Sequence, residues 1–131
     1  AGGGTDGYFV SANGITLWDA PSGYHNDVVG IGREDGQNLE QKQSKTFDDS
    51  TRVYLSSLAI DNAANTGTFN NDSEFIVLGH DEGLMCSTNA SNSERPSGTF
   101  SRIEREWKII NTNFIDDFSI DIQLNSAGFK R

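Results

Sequence analysis

The stretch YHNDVVGIGREDG, residues 24–36, holds the densest group of side chains that could do chemistry. His25 lies two residues before Asp27, and in a strand this spacing places both side chains on one face. Such a pair could form part of a catalytic triad, or a hydrogen-bonded pair at a strand end. The chain contains neither a G-x-S-x-G nucleophile elbow nor an H-E-x-x-H zinc motif. We therefore expect a hydrogen-bonded pair, and a protein that is not an enzyme.

The glycines of the same stretch do not form a nucleotide-binding motif. Gly36 follows Gly32 by four residues, so the G-x-G-x-x-G spacing fails, and no helix pattern follows. In a strand, Gly30 and Gly32 share one face, and their missing side chains open a slot for a large aromatic ring. Trp18 and Trp107 are the expected occupants of this slot.

Two arginines lie on strand faces that otherwise point toward a core. Arg105 shares its face with Trp107, and Arg33 follows the apolar positions of its own strand. A buried arginine is costly unless it is paired and hydrogen-bonded. We therefore expect structural ion pairs at strand ends, formed among Asp27, Arg33, Asp35 and Arg105. The alternative is that Arg33 recognises a carboxylate or a sugar hydroxyl in a cleft.

Acidic residues recur in the turns, where carboxylates are oxygen ligands suited to calcium. The candidate ligands are Asp72, Asp81 and Glu82. None of the acidic turns has the spacing of an EF-hand loop. Solvated acidic turns are the main interpretation, and calcium held between two loops is the alternative that would add a cofactor.

Aromatic side chains offer a second kind of site, because aromatic rings stack on the apolar faces of sugars. Trp18 and Tyr24 are the candidate platform, since they flank the turn formed by Pro21, Ser22 and Gly23. Packing in the core is the simpler interpretation of Trp18. The predicted binding set is Trp18, Tyr24, His25 and Arg33.

The chain carries 19 acidic and 10 basic side chains, for a formal net charge of -9. This charge repels nucleic-acid phosphates and anionic membranes, so neither partner is expected. No apolar run is long enough to cross a bilayer. Cys86 is the only cysteine, which excludes an internal disulfide and leaves a small buried side chain or an intermolecular bridge. The chain does not begin with Met, so we expect a mature product or a part of a longer protein.

Apolar residues recur with a period of two, and clusters of Gly, Asn, Asp and Ser separate the runs. This pattern predicts strands over residues 7–11, 15–19, 27–33, 51–60, 74–79, 99–111 and 114–124. Asn13 and Gly14 predict a hairpin with a type I′ turn. Together they predict one all-β domain over residues 1–131, an antiparallel β-sandwich or jelly roll. Residues 1–7 are expected to be a flexible or exchanged N-terminal segment.

Three segments carry more detailed predictions. Residues 74–79 are apolar on both faces, which indicates a central strand covered on both sides. The alternation changes phase at Ser56 and Ser57, which indicates a β-bulge. Residues 38–45 are the best candidate for a helical turn, and a polar loop is the alternative.

Four pieces of the chain resemble a known kind of domain when they are taken in order. They are ITLWDAPSGYHNDVVGIGRED, LEQKQSK, FNNDSEFIVLGHDEG and RIEREWKI. They are similar to an uncharacterised β-rich domain of large, multidomain secreted surface proteins from gliding, type-IX-secreting bacteria. The resemblance implies a β-sandwich, an extracellular or cell-surface location and an adhesive or structural role. It implies no site residues.

Taken together, these observations predict a non-enzymatic extracellular module of the adhesin type. It would recognise a glycan or a cell-surface polymer through loops at one end of the sandwich. The alternative is a structural subunit or spacer of a surface filament. Such a subunit would join copies of itself or neighbouring domains through strand edges or exchanged terminal segments. A small polysaccharide hydrolase is the third candidate.

Overall fold

The computed structural model describes residues 9–47, 49–83 and 103–123. Within these ranges the chain forms three antiparallel sheets, which confirms the predicted all-β sandwich. The strands are β1 (Phe9–Val10), β2 (Thr16–Trp18), β3 (Asn26–Glu34), β4 (Leu39–Gln41), β5 (Gln43–Lys45), β6 (Thr51–Tyr54), β7 (Glu74–His80), β8 (Trp107–Thr112) and β9 (Ser119–Ile122). A short 3-10 turn, Asp35–Gln37, joins β3 to β4. The predicted N-terminal segment 1–7 and Cys86 lie outside the described ranges.

The central sheet has the strand order β4-β3-β7-β8. All seven residues of β7 are buried, which confirms that this segment is a central strand covered on both faces. Ile76 and Leu78 point toward one core, and Val77 points toward a second core on the opposite face. A strand with a continuous apolar run at its centre is accommodated in this way.

The larger core lies between the central sheet and the three-stranded sheet β5-β6-β9. Its buried members are Val29, Ile31, Val53, Leu55, Phe69, Ile76, Leu78 and Phe114. Trp107, Phe118 and Ile120 pack against this cluster at its margin. These residues come from both sheets and from the turns between them, so this layer is a sandwich of two sheets.

The second core lies under the β1–β2 hairpin, which covers the other face of the central sheet. Trp18 is fully buried here, with Ala20 and Val77 beside it. The ring of Trp18 packs on Gly79, where an added Cβ would lie 3.0 Å from ring atom Cζ2. Gly79 of β7 therefore provides the space that the Trp18 ring occupies. The hairpin adds a third layer to the two larger sheets.

The expectation that Trp18 or Trp107 fills a slot at Gly30 and Gly32 is wrong. The antiparallel register places Phe75 opposite Gly32 and Val77 opposite Gly30. An added Cβ on Gly32 would overlap the ring of Phe75. The cross-strand neighbours on β7 use the space that the two glycines leave, because register determines which side chain faces each glycine.

The predicted hairpin between β1 and β2 is present, but its turn is not of type I′. Gly14 has a φ of +82° and Asn13 has no positive φ, whereas a type I′ turn requires both. The Gly14 N–H donates to the carbonyl of Ser11, and the Ser11 N–H donates to the carbonyl of Ile15. The loop therefore has three residues, with glycine at its left-handed position.

The segment 51–60 contains a shorter strand than its sequence pattern predicts, and the bulge expected at Ser56 is wrong. Strand β6 ends at Tyr54, and Ser56 has a φ of +57°, so the chain turns away from the sheet. Asn65 is buried and holds this turn, because its Nδ2 donates to the carbonyls of Leu55 and Ser57.

The helical turn predicted at residues 38–45 is also wrong. This segment forms two short strands, and β4 pairs with β3 whereas β5 pairs with β6. The chain crosses between the sheets at Lys42, whose N–H donates to Asn62 Oδ1 at 2.6 Å. The crossing is a feature of tertiary structure, since the backbone of Lys42 meets the side chain of Asn62 only after the sheets form.

The last two predicted strands are present in shortened form. Strand β8 begins at Trp107, so Arg105 precedes it, and residues 99–102 lie outside the described ranges. Strand β9 covers Ser119–Ile122, and residue 124 is likewise not described. Among the described residues, no helix is long and apolar enough to span a bilayer.

Candidate functional site: a groove beside a polar cluster

A β-bulge in β3 creates the polar cluster at one end of the central sheet. Asn26 pairs with His80, and the next partners are Val29 and Leu78, so β3 contains one extra residue. Asp27 lies in this bulge with a φ of +49°, a conformation that aspartate tolerates better than most residues. Its Oδ2 lies 2.8 Å from His80 Nε2. The bulge therefore turns Asp27 toward the last residue of β7.

The hydrogen bonds of His80 define its tautomer. The backbone N–H of Glu82 donates to Nδ1 at 3.0 Å, so Nδ1 accepts and carries no proton. Nε2 then carries the proton of the neutral ring and donates it to Asp27. Both ring nitrogens are occupied, and the side chain is only 3% exposed. His80 thus acts as a structural link between β3 and the loop after β7.

The loop after β7 is tied to the segment that leads into β8. Asp81 Oδ1 accepts from the backbone N–H groups of Glu106 at 3.0 Å and Gly83 at 2.8 Å. The hydrogen bond from Glu106 is the largest cause of a lowered pKa of Asp81, and the bond from Gly83 adds to it. Both bonds favour the charged carboxylate. Arg105 Nε donates to the carbonyl of Gly83 at 2.9 Å. The segment before β8 is therefore held by side chain and backbone together.

The four residues expected to form ion pairs fall into two groups at opposite ends of β3. Arg33 forms a two-pronged pair with Asp35, with Nε–Oδ1 at 2.7 Å and Nη2–Oδ2 at 2.9 Å. This pairing lowers the pKa of Asp35 and raises that of Arg33. Asp27 pairs with His80, and Arg105 forms no ion pair within the described part of the chain. His25 does not pair with Asp27 either.

The proposed metal ligands do not form one site. Asp72 precedes β7, and Asp81 and Glu82 follow it. Seven extended residues separate the two ends by about 20 Å. Asp72 Oδ1 also accepts the N–H groups of Asp35 and Ser73. No group of three His, Cys, Asp or Glu residues placed to hold a metal ion occurs among the described residues.

The proposed sugar platform is not available on the surface. Trp18 is fully buried, so it cannot stack on a sugar. Tyr24 is half-buried, and its hydroxyl donates to Glu106 Oε2 at 2.8 Å. That bond raises the pKa of Tyr24, because it stabilises the protonated phenol. Both rings support the fold at this end of the molecule. Arg33 is likewise engaged, with its Nη1 donating to the carbonyl of Phe69.

His25 differs from the other predicted binding residues because one of its nitrogens remains available. The indole N–H of Trp18 donates to His25 Nδ1 at 3.1 Å. Nε2 of the neutral ring therefore carries the proton. Within the described residues, Nε2 has no hydrogen-bond partner, and the side chain lines a groove. The buried Trp18 thus orients an N–H donor toward that groove.

The groove has a volume of about 940 Å³ and lies along β3. It is lined by Phe9, Val10 and Leu17 of the hairpin, by residues 25 and 27–32, by Leu39 and Gln41 of β4, by residues 44–47, and by Phe75 and Val77 of β7. Phe47, Val10 and Leu39 expose much of their apolar surface. A concave, largely apolar surface with a few polar groups is typical of a binding site.

One edge of β3 is open along this groove. Strand β4 pairs only with Gly32, Arg33 and Glu34, and after Gln41 the chain crosses to the other sheet. Among the described residues, no strand pairs with residues 28–31 on the side that β4 leaves. We call residues 28–31 the open edge. An unpaired strand edge at the base of an apolar groove is a template for another strand.

His80 and the groove were not predicted from the sequence. Only Asp81 and Glu82 of the segment GHDEG were predicted site residues, although His80 directly follows the apolar run 75–79. A polar residue that continues a buried strand needs a partner, and this signal could have identified His80. The groove offered no such signal, because it depends on where β4 leaves the sheet.

The fold and the groove define an all-β sandwich protein with an open strand edge. A family model, Domain of unknown function (DUF8202), matches residues 3–131, so the chain belongs to this family. No curated protein and no solved structure matches the chain.

Proposed function

We propose that this chain is a non-enzymatic protein-binding module, and that its groove takes one extended polypeptide segment alongside the open edge of β3. One observation carries the proposal: β4 leaves the sheet after Gln41, so the described structure has an unpaired edge at the base of an apolar groove. Strand addition is a common way in which sheet proteins bind extended peptides.

The edge and the groove offer complementary interactions to an added strand. The backbone N–H and C=O groups of the open edge would pair with the segment, which would lie about 4.8 Å from β3. Side chains alternate across a strand, so every second residue of the segment would face the apolar side chains from Phe9, Val10 and Leu17. The segment is therefore expected to have apolar residues at alternate positions.

Charge limits the partner further. The chain has a formal net charge of -9, and Lys45 is the only lysine or arginine among the described lining residues. A second copy of the chain would carry the same negative charge and be repelled. We therefore propose a partner segment that belongs to a different protein or domain and carries no net negative charge.

Among the functions expected from the sequence, this proposal is nearest to the joining of neighbouring domains through strand edges. The extracellular location enters the proposal from the resemblance to secreted surface domains. Recognition of glycans through Trp18 is not part of it, because the fully buried ring offers no stacking surface.

The proposal can be tested by selecting a displayed library of random decapeptides on the immobilised chain. The selected peptides are expected to alternate apolar and polar residues and to lack proline at the positions that pair with β3. Hydrogen exchange, measured with the recovered peptide bound, is expected to slow at the amides of residues 28–31. Selected peptides that lack this pattern, or slowed hydrogen exchange at another surface, would contradict the proposal.

A matched pair of substitutions distinguishes binding in the groove from non-specific hydrophobic binding elsewhere on the surface. Phe47→Glu places a charge on an exposed side chain that lines the groove, and Ile115→Glu does so on an exposed side chain elsewhere. The first is expected to weaken peptide binding by about tenfold, and the second by less than twofold. Equal effects of the two substitutions would rule out the groove. Binding of a glycan in place of the peptide, with the same sensitivity to Phe47→Glu, would replace peptide by glycan as the ligand.

A further inference from the structure

Asp27 lies where the bulge ends the open edge, and it contributes to the lining of the groove. Its side chain is 41% exposed, although Oδ2 is held by His80. Its other oxygen, Oδ1, has no hydrogen bond within the described structure. The carboxylate is therefore fixed at one oxygen and open to the groove at the other.

The two histidines at this end of the groove each accept a hydrogen bond at Nδ1. His80 is the neutral Nε2–H tautomer, because its Nδ1 accepts the Glu82 N–H. His25 also accepts at Nδ1, from the indole of Trp18. Each ring therefore presents an N–H donor at Nε2.

Arg105 compensates the charge of Asp27 only partly. Its Nη1 lies 3.5 Å from His80 Nε2, and its Nε donates to the carbonyl of Gly83. Since Nε2 of His80 already carries a proton, this contact places two donors side by side. No nitrogen of Arg105 comes within the 4.0 Å of an ion pair with Asp27. Within the described residues, Oδ1 of Asp27 therefore has no cation paired with it.

We infer that the Asp27 end of the groove binds a lysine or arginine side chain of the incoming segment, so that Asp27 determines which sequences are accepted. This inference rests on the proposed function and specifies its partner. The charged side chain would pair with Asp27 Oδ1, and the free N–H of His25 would donate to a backbone carbonyl of the same segment. An acidic residue at that position would be repelled by the carboxylate.

The substitution Asp27→Asn isolates the charge. The amide oxygen of asparagine can still accept from His80 Nε2, and asparagine tolerates a positive φ at least as well as aspartate. Thermal unfolding is therefore expected to change little. Asp19→Asn is the matched control, because it removes one charge from an exposed position that does not line the groove.

The probe is the decapeptide recovered from the library, acetylated and amidated so that it carries no terminal charge. Each lysine or arginine of this peptide is replaced in turn by glutamine, and binding is measured by calorimetry to the unmodified chain, Asp27→Asn and Asp19→Asn. One replacement is expected to weaken binding about fivefold to the unmodified chain and to Asp19→Asn, and less than twofold to Asp27→Asn.

The outcomes distinguish the role of Asp27 from the proposed function of the groove. Peptide binding without this coupling would overturn the role of Asp27 and leave the proposed function intact. Failure of the unmodified chain to bind any selected peptide would overturn both. The same peptide is also measured without its acetyl group, and if only that form shows coupling to Asp27, the site binds a chain terminus and the assignment to a side chain is wrong. A library that enriches acidic residues at this end would also overturn the inference.

Discussion

At the scale of single residues, the hydrogen bonds of His80 explain how the Asp27 end of the molecule is built. The ring accepts from the backbone of Glu82 and donates to Asp27, so it links the bulge in β3 to the loop after β7. A neutral imidazole suits this task because it offers one acceptor and one donor at fixed positions. Removal of the ring would leave the bulge and the loop without their common partner.

The substitution His80→Ala is therefore expected to lower the free energy of unfolding by about 3 kcal/mol, through lost packing and two lost hydrogen bonds. Asp27→Asn, which keeps the acceptor, is expected to lower it by less than about 1 kcal/mol. Urea unfolding at neutral pH measures both values. Similar losses for the two substitutions would contradict the role of the ring as the link.

Asp81 gives a prediction about pH. Its folded-state pKa is lowered by the N–H bonds from Glu106 and Gly83, so unfolding raises the pKa and takes up a proton in acid. The stabilisation is complete above the ordinary aspartate value of about 4 and is lost as pH falls through the folded-state pKa. Urea unfolding from pH 6 to pH 2 should show a shallower loss of stability for Asp81→Asn than for the unmodified chain. Parallel curves would show that Asp81 contributes nothing to this dependence.

At the scale of elements, β7 organises the molecule because both of its faces are covered. One face packs against the β5-β6-β9 sheet, and Gly79 on β7 receives the ring of Trp18 from the hairpin. The strand can be approached so closely at this point only because glycine has no side chain. The close packing of Trp18 on the central strand therefore depends on Gly79.

Gly79→Ala tests this dependence. An added Cβ would overlap the backbone carbonyl of Tyr24 and lie 3.0 Å from Trp18 Cζ2, so the hairpin would have to shift. We expect a loss of about 2 kcal/mol in the free energy of unfolding, with a changed near-ultraviolet signal from Trp18. Gly36→Ala is the control, since the nearest atom to its added Cβ would be 3.9 Å away, and it should change stability by less than about 0.5 kcal/mol. Equal effects at Gly79 and Gly36 would show that the ring does not depend on this glycine.

At the scale of the whole molecule, net charge and the open edge act in opposite directions. An exposed strand edge favours association between identical chains, whereas a net charge of -9 disfavours it. The repulsion is long-ranged at low ionic strength and is screened within about 10 Å at 0.1 M salt. Charge therefore helps to keep the edge free for a different partner.

Analytical ultracentrifugation tests this balance. The chain is expected to sediment as a monomer at low ionic strength, and any dimer should increase as salt is added, because salt screens the repulsion. A stable dimer at low salt that is lost on Phe47→Glu would show that a second copy occupies the groove. That result would favour assembly from identical subunits over binding of a different protein.

Local patterns account for the parts of the fold that were predicted. A period of two in apolar residues indicated strands at β3 and β9, and continuous apolar character indicated that β7 is a central strand. The wrong predictions concern segments whose local sequence is compatible with more than one structure. Residues 38–45 have helix-forming side chains, yet they form two strands because two sheets offer them partners. The shift in phase at Ser56 reflects the end of a strand, which a bulge would resemble in sequence.

The all-β class, the central strand and the acidic net charge were predictable from the residue types alone, because alternation and charge do not depend on how distant segments pair. The burial of Trp18 confirms its predicted place in the core, whereas the pairing of Asp27 with His80 and the open edge of β3 are visible only in the folded structure. These features depend on register and on the crossing at Lys42, and an alternating pattern is compatible with every register that differs by two residues. The stretch from Tyr24 to Gly36 therefore predicted a strand, but the hydrogen bond of its Asp27 could be identified only once β7 was placed beside it.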